Sequence, residues 1–392
     1  MAQTKSVARR RSLVALAGAW THRAIRLAAV GMALTVVSPA GSAQARDVLR
    51  GVDFVHPLQF SAADQDRKLA ELQSLGVRVI RFGVYDKDED KNVDFIKRAH
   101  AHGVAAVVIL HGLYAPEAPL RPYRPQEFPG MWPGPPLSYL DPARSARYFQ
   151  EFLEKLESDG IALAGVELEN EINMAGNDPD FRLPGEGRVL GLADLAQDPE
   201  GREVAKGYLQ YLKVLAALKE ARDHSKLNQR TPLLPASLVD IEQEGPWPTP
   251  KPYDGVSVGA TMAFFRAHGL DTLVDAYNLH TYPWSDSPGD KAAAIHRLRR
   301  LEGLVDPICS PSGKPCWITE WGFSYAGESC SGPEETAHTQ LVQEMMGDFR
   351  RLAQEGRLAG LIYYSWTGDP QFDVDRCGEL ADSGKAALGP LR

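Results

Sequence analysis

From residue 48 onward, short apolar and β-branched runs alternate with longer stretches of helical period, and eight such units follow one another before the chain ends. The runs are Val48–Val55, Val77–Val84, Val104–Leu110, Gly165–Glu171, Pro232–Ser237, Ala276–Thr281, Cys316–Thr319 and Leu358–Ser365. Parallel strands need a crossover between them, and a strand covered on both faces reads as an almost unbroken apolar run, as Val104–Leu110 does. Eight units over about 345 residues predict an α/β fold closed into a (β/α)8 TIM barrel, in preference to an open doubly wound sheet. No glycine-rich phosphate loop follows any run, which removes the dinucleotide-binding alternative.

The intervening segments carry helix signals. Leu69, Leu72 and Leu75 share a face in the stretch from Ser61, which Gly76 stops, and Asp141-Pro142 opens a helix reaching about Ser158. The chain stops soon after the eighth run, so the last helix is expected to be short or absent. Two long loops, 112–140 and 173–198, fall on the C-terminal face; the first is Pro-rich with lone aromatics, which marks an ordered and functional loop.

Residues 1–45 hold six Lys or Arg and no acidic side chain, an apolar run Leu27–Val37 and the small-residue stretch Ala43-Gln44-Ala45. This is the pattern of an export signal cleaved before Arg46, leaving residues 46–392 as one catalytic barrel domain, secreted or periplasmic and without a stable membrane span. Of 43 basic and 51 acidic side chains, the mature chain keeps 37 and 51, a formal charge of −14. Such a surface excludes nucleic acid as partner and suits a neutral or cationic substrate; a monomer is expected. Four cysteines in an exported chain predict disulfides, Cys309 with Cys316 across a turn-rich segment and Cys330 with Cys377 between two late loops. No C-x-x-C and no helical His pair accompanies them, so neither a metal nor a cofactor is expected.

Active sites of this barrel form at the C-terminal strand ends, so polar residues interrupting the ends of apolar runs are the ones that carry chemistry. They are Arg81 in the second half of run two, His111 just after run three, Asn170 and Glu171 closing run four, His280 at the end of run six with Tyr282 just after it, Glu320 just after run seven and Trp366 just after run eight. Two glutamates on runs four and seven face each other across a barrel mouth, as glycosidic cleavage requires. Glu169 is a rival to Glu171, disfavoured because side chains alternate along a strand and Asn170 directly precedes Glu171. Trp132, Trp247, Trp284 and Trp321 lie in or beside loops on the same face, and their rings can stack on sugars.

Asn170-Glu171 resembles the Asn-Glu acid/base motif of glycoside hydrolase clan A, and Ile318-Thr319-Glu320-Trp321-Gly322 resembles its nucleophile strand. Arg81, His280 with Tyr282, and Trp366 match positions the clan fills in the same strands, so the likeness spans nearly the whole mature chain and is similar to families 39 and 5. Ile172 departs from the clan by replacing the Pro usual after the acid/base Glu.

The resemblance implies a retaining glycosidase acting on an oligo- or polysaccharide by double displacement. Glu320 is then the nucleophile, kept ionised by Arg81 and a Tyr282 hydrogen bond, and Glu171 the acid/base, with its proton held by the charge of Glu320. The resemblance implies that Asn170 and Trp366 contact the sugar and that His280 positions Glu171 or the sugar; His111 and Trp284 are candidate sugar contacts from their places just after runs three and six. Three other readings compete: a barrel that binds carbohydrate without cutting it, a transglycosylase using the same residues, and a metal hydrolase built on His56, His111 and His280.

Overall fold

A computed structural model describes residues 48–122, 126, 128, 131–181, 187–241, 253–283, 288–324, 331–376 and 378–391. The expected export signal, Trp247, Trp284, Cys330 and Cys377 lie outside the described residues.

Eight parallel strands form the barrel: β1 (Leu49–Phe54), β2 (Val79–Val84), β3 (Ala105–Leu110), β4 (Gly165–Leu168), β5 (Leu233–Leu234), β6 (Tyr277–Thr281), β7 (Cys316–Trp321) and β8 (Gly360–Thr367). Their hydrogen-bonded order is β5-β4-β3-β2-β1-β8-β7-β6. Backbone bonds from Asp275 to the Leu233 carbonyl at 2.9 Å and from His280 to the Leu238 carbonyl at 3.4 Å join the ends of this order, so the sheet closes on itself.

Each strand is followed by a helix: α1 (Ala62–Ser74), α2 (Glu89–Ala101), α3 (Pro142–Ser158), α4 (Pro199–His224), α5 (Val258–Ala267), α6 (Lys291–Ile308), α7 (Pro333–Gln354) and α8 (Asp382–Leu388). Ser61 caps α1 by accepting from the Asp64 amide, and Asp141 caps α3 by accepting from Ala143 and Arg144, the roles their positions before each helix predict. The eighth helix has seven residues, short as expected.

The barrel interior is layered. Val79, Val107, Leu234, Ala276, Trp317 and Ile362 form an apolar plug near the strand starts. Two residues further along β2 stands Arg81, and two beyond Gly165 on β4 stands Glu167, each 0% exposed. The two-residue period of strands therefore stacks a charged layer on the plug, and the barrel mouth above it holds the site.

Strand ends depart from the sequence reading in ways that matter for that site. β4 stops at Leu168 rather than Glu171, because Glu169 and Glu171 take left-handed φ values of 61° and 51°. β7 continues past Thr319 to Trp321, with a register shift against β6 between Leu279 and His280 that pairs His280 with Glu320. β5 is only two residues long, since Pro235 next to it has no amide to donate.

A disulfide joins Cys309 at the end of α6 to Cys316 at the start of β7, as their spacing predicts. By loop-closure entropy, breaking so short a loop costs about 2 kcal/mol. Replacing both cysteines with Ser should lower unfolding stability in guanidinium by that amount, and equal stability would show that the bond contributes nothing. No helix among the described residues is long and apolar enough to cross a membrane.

Candidate active site

Arg81 organises the mouth. Its Nε donates to Glu167 at 2.9 Å, its Nη1 to Asp53 at 3.0 Å and to Glu320 at 2.7 Å, and its Nη2 to Asn170 at 3.1 Å. Three carboxylates share one guanidinium. Burial works against the charge of Arg81, but Glu167, Asp53 and Glu320 together hold its pKa well above the ordinary value. Asp53 is the carboxyl driven towards neutrality: burial pushes its pKa well up against the pull of Arg81, and the charges of Glu320 and Glu167 push the same way. Its second oxygen is buried without a hydrogen-bond partner among the described residues, a placement that suits a neutral acid better than a carboxylate.

Glu320 is 8% exposed. Its Oε1 accepts from Arg81, and its Oε2 accepts from the Tyr282 hydroxyl at 2.5 Å. Burial, followed by the Glu320 charge, pushes the Tyr282 phenol well above its ordinary pKa, so it stays protonated and remains a donor. The bulge between β6 and β7 delivers Glu320. Trp321 packs outwards on Phe349 of α7 with ring centroids 4.8 Å apart, while Thr319 meets Asn278 on the neighbouring strand. A strict alternation would send Glu320 outwards, and the register shift turns it into the mouth.

Glu171 lies opposite. Its amide donates to the Ser237 carbonyl at 2.9 Å, its Oε1 lies 2.8 Å from His280 Nδ1, and its Oε2 accepts from Asn177 Nδ2 at 3.1 Å. His280 Nε2 faces Arg81 Nη2 at 3.4 Å. A guanidinium can only donate, so this nitrogen accepts and Nδ1 carries the hydrogen that points at Glu171. His280 Nδ1 is also 3.3 Å from Glu320. One oxygen of Glu171, one of Glu320 and a ring nitrogen of His280 all lie within 4.8 Å of one another.

Glu169 is occupied elsewhere. It is 5% exposed, pairs with His111 Nδ1 at 2.8 Å and accepts from the Gly112 amide at 2.7 Å. Strand alternation does not separate it from Glu171, since both lie beyond the strand; two left-handed positions flanking Asn170 do, each held at a cost of about 1–2 kcal/mol. His111 therefore stands apart from Glu171 and Glu320, stacked on Tyr85 with ring centroids 4.3 Å apart. Among the described residues, His56, His111 and His280 are not gathered at one point.

Two tryptophans depart from expectation. Trp366 is 0% exposed, so its ring offers no face to a sugar, and Trp321 is likewise fully buried. The half-buried Tyr364, two residues before Trp366, takes the place at the mouth, edge-on to Tyr282 at 5.9 Å and to Phe372 at 5.5 Å. A cleft of about 450 Å³ opens beside Asn170 and Asn177, walled by Tyr85, His111, Tyr114 and Trp132. Tyr85 is 44% and Trp132 38% exposed. A larger cavity, about 690 Å³, lies on the outer helical layer between α3 and α4 and contains none of these groups.

Asp53, Glu167, Asn177 and Tyr364 are absent from the sequence reading. The first two were findable, because each is a lone carboxylate inside an apolar strand. Asn177 and Tyr364 reach the site through a loop path and a strand end that no local pattern encodes.

The eight strands and this mouth define a (β/α)8 barrel with two glutamates facing each other at its C-terminal strand ends. No family model and no curated protein sequence matches the chain. Solved structures do match. The GH5-4 broad specificity endoglucanase from Clostridium acetobutylicum aligns with TM-score 0.54 and 11% identity over 87% of this chain and 97% of that one. ZgEngAGH5_4 in complex with a cellotriose gives 0.53 and 12% over 88% and 96%. The exo-β-1,4-mannosidase Op5Man5 from Opitutaceae bacterium strain TAV5 gives 0.52 and 14% over 88% of this chain and 59% of that one. The chain thus has the (β/α)8 fold of clan A glycoside hydrolases, family 5 among them.

Proposed function

We propose that the protein is a retaining glycoside hydrolase that cuts an oligo- or polysaccharide outside the cytoplasm, with Glu320 as nucleophile and Glu171 as acid/base. The observation that carries this reading is the approach of Glu171 and Glu320 oxygens to within 4.8 Å. That separation supports direct attack by a carboxylate; inverting enzymes keep their carboxyl groups about 6.5–9.5 Å apart to admit a water.

Glu320 attacks the anomeric carbon as Glu171 gives its proton to the departing oxygen, which leaves a glycosyl ester on Glu320. Glu171, now a carboxylate, takes a proton from water as the water attacks the same carbon, and Glu320 is released. Arg81 and Tyr282 orient the attacking carboxylate. Asn170 stands beside Glu171 where it can meet a hydroxyl next to the anomeric carbon, and Tyr282, Tyr364 and Phe372 form an aromatic wall.

Incubation with an epoxide or fluoro-sugar inactivator, followed by peptide mass spectrometry, tests the assignment. Label on the peptide holding Glu320 is expected. Label elsewhere, or no cleavage across a panel of polysaccharides, would overturn the reading.

The cleft supports binding of further sugar units on Tyr85 and Trp132, since exposed rings stack on the apolar faces of sugars. Tyr85→Ala should raise KM for long oligosaccharides by about 5-fold, the equivalent of roughly 1 kcal/mol of lost stacking, and leave disaccharide turnover almost unchanged. Equal KM changes at every chain length would contradict it.

A further inference from the structure

The least expected contact at the mouth is that of Asn177, whose amide nitrogen donates to Glu171 from the loop after β4. The turn carrying it is tight, with the Asn177 amide bonded to the Met174 carbonyl at 3.0 Å. Arg121, from the Pro-rich loop after β3, holds that turn. It is 5% exposed, and among the described residues its side chain donates five hydrogen bonds, each to a backbone carbonyl. Nη1 donates to Ala175, to Phe181 at 3.2 Å and to Asp178 at 3.3 Å; Nη2 donates to Gly176 at 3.1 Å and to Trp132 at 2.6 Å. The Trp132 amide bonds the same Gly176 carbonyl at 2.8 Å. Burial lowers the Arg121 pKa to about 10, which leaves it charged at neutral pH. A buried cation with no carboxylate in its hydrogen-bond set is costly unless it organises the backbone around it.

We propose that Asn177 is a positioning residue for Glu171 and that Arg121 is the clamp that places it, in a knot that also presents Trp132 to the cleft. This rests on Glu171 acting as the acid/base. His280 donates to one oxygen of Glu171 and Asn177 to the other, so the carboxylate left after proton transfer is held by two donors in one orientation. The transferable proton then sits on a lone pair that faces the cleft. The titratable and charged groups facing Glu171 are His280 on β6 and Glu320 on β7, with Tyr282 on Glu320 and Arg81 behind Asn170 and His280; from the loop side comes the uncharged amide of Asn177.

A lost donor disfavours the ionised form, so the alkaline limb of the kcat/KM profile, which reports the acid in the free enzyme, should move to higher pH. The profile is measured on the polysaccharide that the wild-type enzyme cleaves, with melting temperature as the folding control. Asn177→Ala is expected to shift this limb up by about 0.5 to 1 pH unit. Asn177→Asp, which keeps the shape and adds a negative charge, should shift it further. Arg121→Lys, which keeps the charge but lacks the planar fork, should reproduce the Asn177→Ala profile. An Asn177→Ala profile that overlays the wild type overturns this inference alone, even if the rate falls; should Arg121→Lys not fold, the two Asn177 variants decide. A wild-type protein that cleaves no glycan overturns the reading of the site, and this inference with it.

Discussion

Glu320→Gln is expected to lower glycan hydrolysis by a factor on the order of 10⁴ to 10⁶, the scale seen when a nucleophile is removed from an otherwise intact site. The amide keeps the shape and can still accept from Arg81, but it cannot attack the anomeric carbon. Its stability should equal or exceed that of the wild type. Asp53, Glu167 and Glu320 now crowd one guanidinium, and the Glu320 charge is among the causes that push the Asp53 carboxyl up. Removing the Glu320 charge relieves that repulsion. Rate and melting temperature measured on the same preparation check both halves. A variant retaining about a hundredth of the wild-type rate would remove Glu320 from the nucleophile role.

The opposite change, Arg81→Met, should remove a large share of the protein's stability at neutral pH. It leaves buried carboxyl groups facing one another without their cation, a loss of about 3–5 kcal/mol from a total that for most proteins is about 5–15 kcal/mol. The pH dependence follows from Asp53. Its pKa in the folded chain lies above the unfolded value, so its contribution to stability is full below about 3.9 and is lost as pH rises through the folded value. Without Arg81 the upward pull on Asp53 grows. The stability gap between Arg81→Met and wild type should therefore narrow on mild acidification, as followed by urea unfolding at several pH values. A variant as stable as the wild type at neutral pH would show that Arg81 does not neutralise this cluster.

The same physical rule explains which site residues were legible in the sequence. Arg81, Glu171, His280 and Glu320 interrupt or close apolar runs on the side of the barrel mouth, where burial makes a polar group costly unless it has work to do. Asp53 and Glu167 obey that rule too, and their part in the site shows only through the ion pairs they make with Arg81 across neighbouring and distant strands. Trp366 and Tyr364 both end the same strand, and only packing decides which ring is buried. Trp321 differs for a related reason: the residue after Glu320 turns away from the mouth, where it meets Phe349 of α7 and Tyr363 of β8.

Strand number, parallel order and the strand ends that carry the chemistry were set by short-range patterns, because a two-residue period and a buried face are local properties of a chain. The approach of Glu171 to Glu320, the bulge that turns Glu320 inwards, the left-handed backbone that sends Glu169 to His111, and the route from Arg121 to Asn177 were decided only by the tertiary structure. Each depends on where residues far apart in the chain come to rest when the barrel closes.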